Sequence, residues 1–145
     1  MRIVTDASVG VKWFSSKNED NIDLALQIRD LKLKNKIEIT VPDLFLFEVI
    51  NALLKKKDFT NNIIHLALET LYLMNLNIIY PGKEIIDNTI DLSEKSKLTF
   101  YDACYMAVAL SENTLLITED LEILKNRNNF SFIKSLSEFH SILKL

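Results

Sequence analysis

The sequence predicts an α/β fold, a three-layer sandwich in which one central parallel sheet lies between two layers of helices. Five short runs rich in β-branched and aromatic residues alternate with longer segments whose apolar residues recur at helical spacing. Only two glycines and two prolines occur in 145 residues, which argues against an all-β meander with many tight turns. Strands that alternate with helices pair in parallel and bury both faces of their sheet.

The first half of the chain is predicted to form two strands and three helices. A short β-branched run at Arg2–Thr5 predicts the first strand, and apolar residues at helical spacing predict the helices. Pro42 ends the second strand, at a position where the start of a helix tolerates proline. After the first strand, the predicted elements are a helix over residues 7–14, a polar loop over 15–20, a helix over 21–33, a strand over 36–41 and a helix over 43–57.

The second half continues this alternation and ends in a helix. Pro81 and Gly82 close the third strand, because both residues interrupt regular structure. The predicted elements are a helix over residues 60–74, a strand over 77–80, helices over 83–95 and 99–112, a strand over 115–118, a short helix over 121–126, a strand over 130–133 and a helix over 137–143.

The composition is typical of a globular chain. At 48% hydrophobic and 26% charged residues, the chain can bury one core without assistance. The single cysteine, Cys104, excludes an internal disulfide framework and is typical of proteins in a reducing compartment. No apolar stretch approaches the length of a membrane span, and no signal peptide is recognisable. We therefore expect a cytoplasmic protein without a membrane partner.

The net charge does not decide whether the chain binds nucleic acid. The formal value of −3, from 17 basic and 20 acidic residues, disfavours a partner whose affinity depends on phosphate neutralisation. Four of the acidic residues are special cases, however, and without them 17 basic residues stand against 16 acidic ones.

These four acidic residues occupy positions where a carboxylate is either chemically useful or physically costly. Two lie just past the ends of predicted strands, and two interrupt the apolar stripe of a predicted helix. In parallel sheets, ligands bind at the carboxyl ends of strands where the strand order reverses. If the first and fourth strands are neighbours, both strand-end carboxylates enter one crevice. The four residues are Asp6, Glu48, Asp102 and Asp120.

Helix capping is an alternative explanation for the three aspartates. Asp6 and Asp120 each lie between a strand and a helix, where an aspartate can cap the helix. Asp102 lies three residues after Thr99, close to a capping-box pattern, and an acid in a first turn suits the helix dipole. From the sequence, capping and ligand binding both stay open for these residues.

Glu48 is not explained by capping, because it lies in the middle of a predicted helix. Leu44 and Ala52, four residues away on either side, place it on an apolar face. A buried carboxylate without a partner is costly and either protonates or binds a cation. Asn51 lies one turn further along and is expected to face the same way, where it could orient Glu48 or hydrogen-bond to it.

Convergence of these carboxylates would require positive charge. Two like charges about 4 Å apart repel by roughly 4 kcal/mol at an effective dielectric constant near 20. Oxygen ligands without a nearby histidine or thiol favour Mg²⁺ or Mn²⁺ over zinc. One or two such ions can activate a water and stabilise the leaving oxygen of a phosphodiester. The sequence therefore predicts a Mg²⁺ or Mn²⁺ site suited to phosphodiester hydrolysis.

Four short motifs contain the acidic residues in a fixed order. They are V-x-D-x-S at Val4, Asp6 and Ser8, P-x-x-x-x-x-E-x-x-N-A-L at Pro42, Glu48, Asn51, Ala52 and Leu53, Y-D-A at Tyr101, Asp102 and Ala103, and T-x-D at Thr118 and Asp120. In this order they resemble the PIN domain, a family of metal-dependent ribonucleases, and in particular the VapC-type toxins of toxin–antitoxin pairs. The resemblance covers essentially the whole chain, so we expect a single PIN domain over residues 1–145.

This resemblance implies a sheet of strand order 3-2-1-4-5, with the first and fourth strands side by side. It implies an endoribonuclease in which the four acidic residues are catalytic and bind the metal, leaving 5′-phosphate and 3′-hydroxyl ends. Ser8, Asn51 and Thr118 would be polar supporters of these carboxylates. The sequence departs from many relatives in one respect, since no basic residue closely follows Asp120.

The resemblance also implies three partners, namely an RNA substrate, a small antitoxin protein and a second copy of the chain. The helix predicted over residues 60–74 has more apolar residues than a single buried stripe needs, which favours such a surface. These residues are Ile63, Ile64, Leu66, Leu68, Leu71 and Leu73.

Two other functions stay open. One is a non-catalytic PIN-like module that binds RNA or protein, which the four intact acidic residues disfavour. The other is a housekeeping nuclease of RNA processing or DNA repair. The absence of an appended zinc or nucleic-acid-binding segment favours the toxin over this second alternative.

Overall fold

A computed structural model describes residues 1–15 and 19–143 and confirms the α/β sandwich. Its strands are β1 (Arg2–Thr5), β2 (Glu38–Pro42), β3 (Asn77–Ile79), β4 (Leu115–Ile117) and β5 (Ile133–Lys134). They form one parallel sheet in the order β3-β2-β1-β4-β5, as expected. The strand order therefore reverses at β1, where β2 pairs on one side and β4 on the other.

Eight helices within the described residues cover the sheet. They are α1 (Ala7–Lys12), α2 (Ile22–Leu33), α3 (Leu44–Leu54), α4 (Asn61–Leu73), α5 (Lys83–Ser96), α6 (Phe100–Ser111), α7 (Leu121–Leu124) and α8 (Leu136–Leu143). None of the helices in this described part of the chain is long and apolar enough to cross a bilayer.

The core is centred on β1 and α6. Ile3 and Val4 of β1 are fully buried, as expected for the middle strand of a sheet with helices on both faces. Residues 103–109 of α6 are buried without interruption, because this helix packs on β1, β2 and β4 and is also covered by α5. A helix that is apolar all round requires this position inside the fold.

Helices α1 and α3 approach each other closely at Gly10. A Cβ atom at this position would lie 2.5 Å from Phe45 Cζ and 2.9 Å from Val49 Cγ2, both on fully buried side chains. Only glycine therefore permits this packing distance. The contact holds the segment that follows β1 against α3.

The predicted elements all occur, although several boundaries differ. The fifth strand is Ile133–Lys134 rather than residues 130–133, because only these two residues pair with β4. Phe130 and Phe132 pack edge to face in the preceding turn. The first helix ends at Lys12 instead of residue 14, and Trp13 turns inward onto the ring of Phe45.

The third helix is also shorter than predicted, and part of the first predicted loop is not described. Helix α3 ends at Leu54 instead of residue 57, and the Lys56 ammonium forms an ion pair with Glu19. Of the polar loop predicted over residues 15–20, residues 16–18 lie outside the described part of the chain.

Candidate active site

The four acidic residues identified in the sequence line one pocket of about 250 Å³ beside the carboxyl ends of β1 and β4. We call it the acidic pocket. It is lined by Asp6, Ala7, Ser8, Val11, Glu48, Ala52, Asp102, Tyr105 and Asp120. The pocket lies where the strand order reverses, the position at which open α/β sheets bind ligands.

Asp6 connects β1 to α1, but its side chain does not cap the helix. The residue has extended backbone geometry at the N-cap position, yet the carboxylate makes no capping hydrogen bond. Instead, Oδ1 accepts a hydrogen bond of 2.6 Å from Ser8 Oγ, and the residue is only 4% exposed. The capping alternative therefore fails for this carboxylate.

Ser8 and Thr118 join the segments that carry Asp6 and Asp120. Ser8 Oγ accepts a hydrogen bond of 2.9 Å from the backbone N–H of Glu119 and lies 3.5 Å from Thr118 Oγ1. Thr118 Oγ1 in turn accepts from the Asp120 N–H at 3.0 Å. Ser8 and Thr118, which we expected to support the carboxylates, thus connect the ends of β1 and β4.

For Asp120 and Asp102, the structure combines capping with a place in the pocket. Asp120 Oδ1 accepts from the N–H groups of Glu122 and Ile123 at 2.8 and 3.2 Å, so this aspartate does cap α7. At the start of α6, Thr99 Oγ1 accepts from the Asp102 N–H at 3.2 Å, which is half of a capping box. Both residues nevertheless line the acidic pocket.

Glu48 is half-buried, and its partner is Tyr105, a residue that sequence reasoning missed. The Tyr105 hydroxyl donates to Glu48 Oε1 at 2.6 Å, while the tyrosine itself is 1% exposed. A signal was available, because Tyr105 lies three residues after Asp102 and therefore on nearly the same face of α6. A buried tyrosine hydroxyl also requires a hydrogen-bond partner.

The structure does not bring Asn51 to the other site residues. Asn51 is exposed and lines a separate apolar groove, about 630 Å³ in volume, on the neighbouring face of α3. On α3, Asn51 lines this groove together with Ile50 and Leu54, whereas Glu48 and Ala52 line the acidic pocket. We call this the apolar groove, and it is lined by Asp43, Leu46, Phe47, Ile50, Asn51, Leu54, Leu68, Tyr72, Ile78 and Tyr80.

Burial and mutual repulsion raise the pKa of several carboxyls in the pocket. The pKa of Asp6 rises to about 7, chiefly because of burial, although hydrogen bonds from Ser8 and Thr118 oppose the shift. Burial is also the main cause that raises the pKa values of Glu48 and Asp102, and neighbouring carboxylates add to both shifts. Within the described residues, none of the charges that contribute to these three shifts is positive.

This chemistry fits a hydrated divalent cation. The carboxylates are oriented by neutral donors, so their negative charge is left uncompensated. Over residues 1–15 and 19–143, no three His, Cys, Asp or Glu side chains lie close enough together to bind one ion unaided. Mg²⁺ typically keeps several waters and binds through one or two carboxylates. The oxygen-only donor set therefore suits a cation bound partly through water.

Comparison with solved structures identifies similar folds. PAE2754 from Pyrobaculum aerophilum has a TM-score of 0.70 and 21% identity, over 99% of this chain and 98% of that one. VapBC2 from Rickettsia felis, solved bound to a DNA fragment from its promoter, has a TM-score of 0.64 and 18% identity, over 93% and 98%. The Mycobacterium tuberculosis toxin VapC20, described as cleaving the sarcin–ricin loop, has a TM-score of 0.62 and 12% identity, over 80% of this chain and 86% of that one. At these identities the likeness shows the fold alone.

Sequence comparison identifies the family. A search of curated proteins finds no match to the chain. A family model described as the PIN domain matches residues 3–128, a span that includes all four acidic residues of the pocket. Because this model covers most of the sequence and the sheet has the expected strand order, the chain belongs to the PIN domain family.

Proposed function

We propose that this protein is a Mg²⁺- or Mn²⁺-dependent endoribonuclease and the toxin of a type II toxin–antitoxin pair. The observation that carries the proposal is the acidic pocket, in which four carboxylates meet at the switch point of the sheet with only neutral hydrogen-bond partners described. Membership of the PIN family and the fold shared with VapC20 support RNA as the substrate.

In this proposal, the chain's own residues hold and orient the ion. Asp6, Asp102 and Asp120 would hold it, partly through its bound waters, with Glu48 completing the site directly or through water. An ion held there would supply the Lewis acidity that phosphodiester hydrolysis needs. Ser8 keeps the Asp6 carboxylate in place through its hydrogen bond of 2.6 Å. No histidine or cysteine is among the residues that line the pocket, and the proposed hydrolysis uses water as the nucleophile.

The apolar groove supports an antitoxin partner. Phe47, Tyr72 and Tyr80 are 75%, 64% and 77% exposed in it, which is unusual for side chains of this size. The groove lies beside the acidic pocket, because Phe47 of the groove and Glu48 of the pocket are adjacent on α3. An apolar antitoxin segment in the groove could therefore place a basic side chain near the carboxylates. The toxin–antitoxin complexes among the similar structures support this partner.

The proposal also covers the number of domains in the chain and its cellular compartment. We propose that residues 1–145 form one PIN domain, since Leu136 and Phe139 of α8 are buried in the same core as β1. The cytoplasm is the compartment in which such a toxin would meet its RNA.

The decisive experiment measures RNA cleavage with and without divalent metal. Purified protein should cut single-stranded RNA in Mg²⁺ or Mn²⁺ and lose this activity in EDTA. Metal at a hundred times its Kd should also stabilise the fold by about 2.7 kcal/mol. The matched variants are Asp120→Asn and Glu48→Gln, which keep the shape and the hydrogen bonds to α7 and Tyr105 but remove one charge.

Both variants should keep the fold and lose cleavage, because a neutral amide is a poor ligand for Mg²⁺. Cleavage that persists in EDTA would refute the metal mechanism. Wild-type rates in both variants would show that these carboxylates serve only structural roles.

A further inference from the structure

Tyr105 and Glu48 form a contact between helices α6 and α3, which share β2 as a partner but otherwise pack on different elements. Helix α3 packs against α1, α4 and β2, whereas α6 packs against α5 and the sheet. The Tyr105 hydroxyl crosses from α6 to α3 and donates to Glu48 Oε1 at 2.6 Å. This length is typical of a hydrogen bond from a hydroxyl to an ionised carboxylate.

The hydrogen bond between the Tyr105 hydroxyl and the Glu48 carboxylate is exclusive to this pair within the described residues. In the described part of the chain, Glu48 is the one acceptor of the Tyr105 hydroxyl, and Tyr105 is the one side chain that donates to Glu48. Glu48 Oε2 has no hydrogen-bond partner there, although the residue lines the acidic pocket. The bond therefore engages one carboxylate oxygen and leaves the other available.

The hydroxyl also restricts a side chain that would otherwise be mobile. Glu48 is half-buried, and a glutamate has several rotatable bonds whose freedom is lost when it binds a ligand. The tyrosine is fixed, since it is 1% exposed on the buried face of α6. A rigid donor that holds a flexible carboxylate reduces the entropy lost on binding.

We propose that Tyr105 is a positioning residue that holds Glu48 with Oε1 engaged and leaves Oε2 available in the acidic pocket, where it would help to hold a divalent ion directly or through water. This inference rests on the proposed function, because it assumes that the acidic pocket binds a divalent ion. The inference adds Tyr105 to a site otherwise made of carboxylates. Its hydroxyl is a neutral donor, so it fixes the position of the Glu48 carboxylate without neutralising its charge.

The test is a double-mutant cycle on metal affinity, with Tyr105→Phe, Glu48→Gln and the double variant of the full chain. Mn²⁺ binding is measured by calorimetry, and cleavage is recorded beside it. Tyr105→Phe should fold and bind Mn²⁺ roughly 10-fold more weakly, as expected when a group that orients a ligand is removed. In the Glu48→Gln background the same substitution should cause no further weakening.

The control is Tyr101→Phe on the same helix, because Tyr101 is 62% exposed, does not line the pocket and makes no described hydrogen bond through its hydroxyl. Its Mn²⁺ affinity should equal that of wild type. The positioning role is wrong if Tyr105→Phe binds Mn²⁺ like wild type, or if it weakens binding equally in the Glu48→Gln background. Failure of the wild-type protein to bind Mn²⁺ at all would refute the proposed function itself, and the positioning role with it.

A measurement on the intact tyrosine covers the case in which Tyr105→Phe does not fold. Of the chain's four tyrosines, Tyr105 alone is buried, so its ¹³Cζ signal is the one that a soluble paramagnetic agent leaves unbroadened. Mg²⁺ should shift this signal in wild type, and Glu48→Gln should abolish the response. A buried tyrosine signal that does not respond to saturating Mg²⁺ would overturn the proposal.

Discussion

Among the carboxylates of the acidic pocket, Asp6 is the one whose ionisation is most costly. Its carboxylate is 4% exposed, it accepts hydrogen bonds from neutral hydroxyls, and it shares a pocket with other acids. Burial is the main reason that its pKa rises to about 7. A group so placed is retained at a cost in stability, as expected for a site built to bind a cation.

The free energy of unfolding of the metal-free protein should therefore fall between about pH 4 and pH 7. The folded state keeps a proton on Asp6 up to about pH 7, whereas the unfolded chain releases it near the ordinary aspartate pKa of 3.8. The stabilisation is thus complete below the unfolded pKa and is lost as pH rises through the folded pKa. Its size from Asp6 is on the order of 4 kcal/mol.

Thermal unfolding in EDTA across this pH range provides the measurement. Asp6→Asn is the matched variant, because it removes the titration and leaves an acceptor for Ser8 Oγ. It should flatten the pH dependence and raise the melting temperature at pH 8. A wild-type stability that rises from pH 4 to pH 7 would contradict the assignment of this pKa.

At the scale of elements, the contact between α1 and α3 sets the geometry of the pocket. Ser8 and Val11 of α1 line one side, and Glu48 and Ala52 of α3 line another. The two helices approach at Gly10, whose missing side chain admits the ring of Phe45. The spacing of the carboxylates thus depends on a residue that touches none of them.

Gly10→Ala should destabilise the protein by about 1–3 kcal/mol, because the added methyl group overpacks a filled core. The new Cβ would lie 2.5 Å from Phe45 Cζ, and Phe45 is itself packed against Trp13. Chemical denaturation provides the measurement. The control is Gly82→Ala, whose Cβ would have no atom within 4 Å, and which should cost less, at most about 1 kcal/mol, because glycine is lost only from the N-cap of α5. Equal stabilities for the two variants would show that α1 and α3 can separate at little cost.

For the whole molecule, α4 presents more apolar surface than the fold uses. Ile64, Ala67 and Leu71 face the core. On the outside, Ile63, Leu66 and Leu73 are 43%, 61% and 83% exposed at helical spacing. This exposed stripe is separate from the apolar groove, which takes Leu68 and Tyr72 from the same helix. We expect the stripe to pair with a second copy and the groove to receive the antitoxin.

Light scattering after size-exclusion chromatography should give a dimer at micromolar concentration, and Leu66→Glu with Leu73→Glu should shift it to the 16.7 kDa monomer. A charge in an apolar interface remains without a partner, which disfavours association. Leu110→Glu, at a 48% exposed leucine on α6, is the control and should stay dimeric. A wild-type monomer at this concentration would argue against self-association through α4.

Local sequence pattern was sufficient to predict the order of strands and helices along the chain. It was also sufficient to single out the four acidic residues that line the pocket. Short apolar runs and helical periodicity are local properties, and Asp6 and Asp120 follow strands whose ends can be recognised directly. The predicted boundary of β5 was wrong because only Ile133 and Lys134 pair with β4, and a β-rich run of four residues does not reveal which of its members reach the neighbouring strand.

The partner of Glu48 was decided by the tertiary structure alone. Tyr105 and Glu48 are 57 positions apart, and only the packing of α3 and α6 around the sheet brings them to 2.6 Å. Asn51 lies three positions after Glu48 on the same helix and yet lines the apolar groove, whose other walls come from α4 and β3. The sequence thus determined which carboxylates this protein carries and which of them follow strands, and it placed Ser8 and the first N–H groups of α7 within local reach of Asp6 and Asp120. The partner of Glu48 depends on the distance between two separate helices, and that distance is set by how the whole core packs.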